Sequence, residues 1–346
     1  VTASLPGAGT LRSALASVAW RAHIGRVNEA SELVRRIEAG GGLTDPAWRA
    51  AFEAVPRELF VPYYYLPAIG GYRRLWRNDP DPGERRRWRE GVYEDAPLAI
   101  RVRDGELVSS SSQPSLMALM LEALDVPDGA DVLEIGTGSG YNAGLLSERL
   151  GDSHVTTVDL DPALTETAAT HLAEAGYRPH VVTGDGAQGC TTYAPYDRII
   201  ATCAVQTVPS AWLKQSADGA LVLTPFATGL LSLRIERGDQ GEVRGEGRFL
   251  QTPAFFVPLR GGPPPWETGL ERPKGVPRGA WVDDSFRFAL ALLGGAAEPV
   301  EIFDVWRRAG RPERERYGVT VSGARQWAWL DSPTGGHAWE LHSEEA

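Results

Sequence analysis

Apolar positions near the start of the chain recur at helical spacing. Within residues 11–55, Leu33, Val34 and Ile37 fall on one face, and a fresh helix is predicted at Asp45-Pro46, where Asp can cap and Pro can open it. Residues 63–92 break that order with Pro, Gly, aromatic residues and seven arginines, which predicts an inserted loop or a short helix pair. A solvated surface excursion and a dock for an acidic peptide both fit such a segment. The stretch "ELVSSSSQPS" then leads into the apolar run "LMALMLEAL". By itself it reads as a Ser-rich turn whose last member caps a helix with Pro near its first position.

From 130 to 260 the pattern becomes strand, turn, helix, repeated. The runs "DVLEI", "HVTTVDL", "PHVVTG", "YDRIIATCA" and "GALVLTPF" are short and rich in β-branched residues, with helical stretches between them. This alternation predicts an α/β fold with a mostly parallel sheet covered on both faces. "LLSLRIER" and "EVRGEGRFLQ", separated by Gly-Asp-Gln-Gly, predict an antiparallel hairpin closing one sheet edge. "GGPPPWE" at 261–267 reads as a linker, and 268–346 as a separate small module with helices at 283–293 and 300–309 and strands at "GVTVSG" and "RQWAWLD". The expected divisions are thus an N-terminal helical region with its insert (1–92), a main domain (93–260), the linker and the C-terminal module.

Candidate chemistry gathers at three predicted strand ends. "VLEIGTGSGY" places Gly136, Gly138 and Gly140 between a strand and a helix, where the backbone can approach a ligand and the helix N-terminus faces it. Tyr141 stands where a dinucleotide fingerprint needs its third glycine. "TTVDLD" sets Asp159 at the end of the second strand, positioned to accept ribose hydroxyls. "TGDG" sets Asp185 where it can take an adenine amino hydrogen, with Gly186 leaving room for the ring. Together these point to S-adenosylmethionine.

Composition narrows the partners. The formal net charge of −10 argues against general nucleic-acid binding. Cys190 and Cys203 fit no metal-ligand spacing, so no metal site is expected. No apolar run reaches membrane-spanning length and no secretory pattern opens the chain, so a soluble, cytoplasmic protein without membrane partners is expected. His23, His154, His171 and His180 lie outside the motifs, and oligomeric state is not legible.

"VPRELFVP", "YEDAPL", "SSQP", "VLEIGTGSGY", "GDGAQG", "APYDRII", "VPSAWLKQSADGALVLTPF" and "FFVPL" follow one another over residues 55–259 in an order that resembles the protein-L-isoaspartate O-methyltransferases. The resemblance implies a Rossmann-like class I S-adenosylmethionine-dependent methyltransferase. It also implies a catalytic Ser112 that aligns the substrate carboxylate, with Ser110, Ser111 and Thr202 on the substrate side. Gln113, Pro114, Ser115, Gly136, Thr137, Gly138, Gly140, Asp159, Leu160, Asp185 and Gly186 would line the cofactor. Two departures stand out: Cys203 replaces a usual alanine, and "FATGLLSL" follows Pro225 where the family has glycine and then glutamine. The insert and the C-terminal residues, without counterpart in the compact family, suggest a specialised branch that methylates an aspartate in a macrocyclic, ribosomally made peptide, leading to a succinimide (aspartimide) or isoaspartate. A general isoaspartyl repair enzyme, and a non-catalytic cofactor-binding chaperone of a precursor peptide, are the alternatives.

Overall fold

The computed structural model describes residues 29–239, 241–259 and 275–341. Residues 29–39 form helix α1, whose Leu33, Val34 and Ile37 are all buried, as their spacing predicts. Asp45 accepts from the Ala47 amide at 2.8 Å and caps α2 (Pro46–Ala54), which Pro46 opens. The short α3 (Arg57–Phe60) follows.

The Arg-rich segment is neither a loop nor a helix pair. It forms an antiparallel hairpin, β1 (Tyr63–Ala68) and β2 (Gly71–Trp76), followed by α4 (Pro82–Val92). Tyr64 and Leu75 face each other in the register and are buried together with Trp88 of α4, whose indole donates to the Val61 carbonyl at 3.0 Å. One apolar side chain per strand is enough to seat the hairpin on the helix. Strands β3 (Leu98–Arg103) and β4 (Glu106–Ser111) complete a four-stranded sheet in the order β2-β1-β3-β4. The serines therefore lie mainly in an edge strand rather than in a turn. Gln113, not a serine, occupies the cap position of α5 (Pro114–Ala123), without a side-chain capping bond.

The main sheet contains β5 (Val132–Ile135), β6 (Val155–Asp159), β7 (His180–Thr183), β8 (Tyr196–Ala201) and β9 (Ser216–Phe226), all parallel to their neighbours within this half. Between them run α6 (Tyr141–Leu150), α7 (Pro162–Ala175) and the short α8 (Ser210–Gln215). The fold class is as the alternating pattern predicts. β10 (Gly229–Arg237) and β11 (Val243–Pro253) form the expected hairpin, but it does not close the sheet.

The C-terminal residues continue the sheet instead of standing apart. β12 (Tyr317–Ser322) pairs antiparallel with β11, then β13 (Arg325–Leu330) and β14 (Ala338–Glu340) follow, giving one ten-stranded sheet in the order β14-β13-β12-β11-β10-β9-β8-β5-β6-β7. The helices α9 (Arg278–Trp281), α10 (Asp284–Leu293) and α11 (Pro299–Arg308) bury Phe286, Phe288, Leu293 and Trp306 in the same apolar cluster as Leu231, Leu233 and Phe249 of β10 and β11. The physical reason is an unfilled edge: without β12, the backbone of β11 and the apolar face behind it would meet water. Gln326 of β13 exchanges bonds of 2.9 and 2.8 Å with the amide and carbonyl of Val208, tying this region to the loop after β8. The 261–267 linker lies outside the described residues, as do His23 and His342.

Candidate active site

The carboxyl ends of the parallel strands and the edge strand β4 enclose one cavity of about 660 Å³. Ser109, Ser110, Ser111 and Ser112 line one wall, and Gly136, Thr137 and Gly138 the facing one. The two motifs are in near contact: a Cβ placed on Gly138 would lie 3.6 Å from the Ser110 carbonyl oxygen and 3.7 Å from the Ser109 hydroxyl. Gly136 takes a φ of +97°, and a Cβ there would stand 2.7 Å from Thr202 Oγ1, so any side chain meets both backbone strain and a clash. Thr202 spans the turn by donating to the Gly136 carbonyl at 2.7 Å.

Asp159 closes the second strand end. Its carboxylate accepts from the Gly138 amide at 3.0 Å and the Asp161 amide at 3.2 Å, which fixes it across the mouth of the glycine turn. Leu160, more than half exposed, and Gly186 also line the cavity. A Cβ on Gly186 would stand 2.6 Å from Ile135 Cγ2 and 3.0 Å from Leu259 Cδ1, so this position keeps a slot open between two apolar side chains.

Not every expected residue reaches the lining. Gln113 donates to Asp95 at 3.2 Å and to Ser115 at 3.0 Å, while the Ser115 amide donates to Asp95 at 2.8 Å. With the buried Pro114, these residues anchor the start of α5. Gly140 begins α6 behind the cavity and packs on Ala168. Asp185 accepts from the Ala187 amide at 2.9 Å and caps a single helical turn at Gly186–Gln188, and it is not among the lining residues.

Several residues of the site escaped sequence reasoning. Glu134 is fully buried at the end of β5 and lines the cavity. Burial pushes its carboxyl up to about 7, against the opposing pull of bonds from Thr157 at 2.6 Å and Asn142 at 2.7 Å. Asn142 also lines the cavity, and its Oδ1 is buried with no hydrogen-bond partner. Arg101 of β3 pairs with Asp161 at 2.7 Å and so ties the small sheet to the rim of the large one. Arg57 is the least expected: wholly buried, it donates to the carbonyls of Val92 (2.8 Å), Glu94 (3.1 Å), Ala96 (3.3 Å) and Ser112 (3.2 Å). In sequence Arg57 and Glu134 look like ordinary charges beside apolar runs.

The chemistry open to this lining is that of acceptors and hydroxyls. Four carboxyl groups, those of Glu106, Glu134, Asp159 and Asp161, outnumber the single guanidinium of Arg103 in the lining, and with the unfilled Asn142 amide oxygen they suit a ligand with hydroxyl donors and positive charge. Burial raises the Cys203 thiol well above its ordinary range, so the thiolate that a nucleophile requires does not form near neutral pH. His171 lies behind the lining, its ring nitrogen 3.1 Å from the Ser139 carbonyl, and burial lowers its pKa. Among the described residues no group of His, Cys, Asp or Glu is arranged to hold a metal, and no helix is long and apolar enough to cross a membrane.

Comparison with known proteins agrees with this geometry. The profile of the protein-L-isoaspartate(D-aspartate) O-methyltransferases matches residues 84–262. A protein-L-isoaspartate O-methyltransferase of Ignicoccus hospitalis is 37% identical over 196 residues, 56% of this chain and 80% of the relative. Another from Hyperthermus butylicus is 34% identical over 241 residues, 66% of this chain and 87% of the relative. A solved protein-L-isoaspartate O-methyltransferase shares the fold, with a TM-score of 0.57 and 23% identity over 88% of this chain and all of the other. The match runs through both the serine strand and the glycine turn, and the chain belongs to the protein-L-isoaspartate(D-aspartate) O-methyltransferase family.

Proposed function

We propose that this enzyme transfers a methyl group from S-adenosylmethionine to the free carboxylate of an isoaspartyl residue in a peptide or protein. The observation that carries the reading is the meeting of Ser110–Ser112 with the glycine turn and Asp159 in one cavity, in a chain of this family. The isoaspartyl substrate is favoured over the cyclic precursor peptide because the relatives share that name over most of their own length. The C-terminal residues, moreover, have a structural task in filling the sheet edge, so they need no special substrate to account for them.

S-adenosylmethionine supplies, when bound, a methyl group on a positively charged sulfur. Asp159 would accept the ribose hydroxyls, using the lone pairs that its bonds from the Gly138 and Asp161 amides leave free. Gly136, Thr137 and Gly138 would admit the cofactor close to the backbone, and Leu160 and Gly186, which also line the cavity, would be available to its flat ring. The unpartnered Oδ1 of Asn142 would offer an acceptor to a positively charged group of the cofactor, and Glu134, which accepts from the Asn142 amide, would hold that oxygen in place.

The substrate carboxylate is ionised at neutral pH, with an ordinary pKa of about 4, and needs no general base. The protein's task is to align that oxygen and exclude water without protonating it. Ser112 aligns it by donating a hydrogen bond, and Ser110, Ser111 and Thr202 shape the pocket around it. Hydroxyls orient an anion without adding a cation that would repel the sulfonium. The ester formed is then attacked by the next backbone nitrogen, which expels methanol and leaves a succinimide. Rates on an isoaspartyl peptide and its normal aspartyl twin test the proposal: methylation of the isoaspartyl form alone is expected, and preference for an aspartyl macrocycle would overturn it.

A further inference from the structure

Strand register connects the substrate-side Ser110 to the Arg-rich hairpin. Ser110 pairs with Ala99, Ala99 with Tyr65, and Tyr65 with Arg74, so these four residues form one row across β4, β3, β1 and β2. Directly paired residues point to the same face of a sheet. The opposite face carries the buried Tyr64, Leu75 and Leu98, so the row of Ser110 faces outward.

On that outward face, Tyr63 and Tyr65 meet edge to face at 5.9 Å, and the Arg74 guanidinium lies 6.0 Å from the Tyr63 ring and 5.1 Å from the Trp76 ring. The rings hold the guanidinium by its plane and leave its N–H edges available. Its neighbours are already paired, Arg73 with Glu84 at 2.7 Å and Arg77 with Glu174 at 3.4 Å. Arg74 is exposed and, among the described residues, has no carboxylate partner. Residues 63–77 hold three arginines and no acidic residue, in a chain of net charge −10. A cationic platform is thus built beside the site of an otherwise acidic protein.

We infer that the outward face of the β1–β2 hairpin binds an acidic residue of the peptide substrate, with Arg74 as its carboxylate receptor and Tyr63, Tyr65 and Trp76 as the floor. This rests on the proposed methylation of a peptide carboxylate at Ser112. Three strand spacings separate Ser110 from Arg74, about 14 Å, which an extended peptide crosses in about four residues. The site therefore selects isoaspartyl peptides with Glu or Asp about four positions from the methylated residue. Recognition by a paired but solvent-facing charge is worth about fivefold in affinity.

The test uses fluorescein-labelled isoaspartyl peptides that carry Glu about four positions to one side of the isoaspartate, or to the other, or Gln at both places. KM for methylation and binding by fluorescence anisotropy are both read. One Glu peptide is expected to show about fivefold lower KM and tighter binding than the Gln peptide, falling away as salt screens the pair. In Arg74→Gln the Glu and Gln peptides should become equal, and Arg74→Lys should retain part of the difference. Equal behaviour of all peptides with the wild-type enzyme, or an advantage that persists in Arg74→Gln, would overturn the inference. If no peptide is methylated, the functional reading fails, while anisotropy still decides whether Arg74 selects acidic sequence.

Discussion

Replacing Arg57 by methionine keeps much of the side chain's bulk and removes its charge. Four carbonyls, those of Val92, Glu94, Ala96 and Ser112, then lose their donor inside the protein. Each charged hydrogen bond contributes about 1.5–3 kcal/mol, but the buried guanidinium also gives up its own desolvation cost when removed. Burial holds its pKa down at about 10, so it is still a cation at neutral pH, with the Tyr141 ring 5.8 Å away. The net loss is expected to be about 3–5 kcal/mol, the usual result of removing one side of a buried charged cluster. Thermal unfolding should show a fall of about 5–15 °C. The Ser112 carbonyl is one of the four, so the serine is expected to shift as well, and a displacement on the order of 1 Å lowers kcat by about 100-fold. Cofactor affinity should change far less, since Arg57 does not line the cavity. Arg57→Lys, with fewer donors and no fork, should fall between the two. A methionine variant that melts and turns over like the wild type would refute the claim that this guanidinium holds the serine strand in place.

Ser112→Ala should lower the single-turnover methylation rate by about 10- to 100-fold and leave cofactor affinity nearly unchanged, as a donor that acts mainly in the transition state requires. Asp159→Ala and Gly136→Ala should each weaken S-adenosylmethionine binding in calorimetric titration, the first by removing an acceptor and the second through the 2.7 Å approach to Thr202. Glu134 titrates near 7 in the folded chain, well above the ordinary carboxylate range. As pH rises from about 4.5 to about 7 the unfolded chain releases this proton and the folded chain keeps it, so stability falls across that window. The melting temperature of the wild type should therefore drop relative to Glu134→Gln between pH 5 and pH 8, and a constant difference would contradict the assignment. Truncation after Gly262 strips β12 from β11 and uncovers Phe249 and Leu233; light scattering should show aggregation or a large loss of melting temperature, where an independent module would leave the rest intact.

The parallel half of the fold is legible because each strand there is a short β-branched run bounded by a turn and a helix, and because the glycine turn has one structural use. The Arg-rich hairpin is not: Pro67, Gly70 and Gly71 interrupt the alternation, and only Tyr64 and Leu75 mark its buried face. β12 and β13 can be recognised by their apolar runs, but where they dock is decided by the free edge of β11, which pairs with β12 and which no local pattern announces. In the site, Asp159 and Asp185 are alike as acids after strands, yet the first spans the glycine turn and the second caps a helical turn. Arg57 and Glu134 are hidden by the same limitation, since burial of a charge depends on partners far away in sequence, Ser112 for one and Thr157 for the other.

The most direct measurement is tandem mass spectrometry of an isoaspartyl peptide after a single turnover with S-adenosylmethionine, quenched in acid before the ester can cyclise. One methyl group on the carboxylate of the isoaspartyl residue is expected, and the same peptide allowed to stand should lose methanol and become the succinimide. A methyl group on any other atom, or its equal appearance on the normal aspartyl peptide, would contradict the central claim.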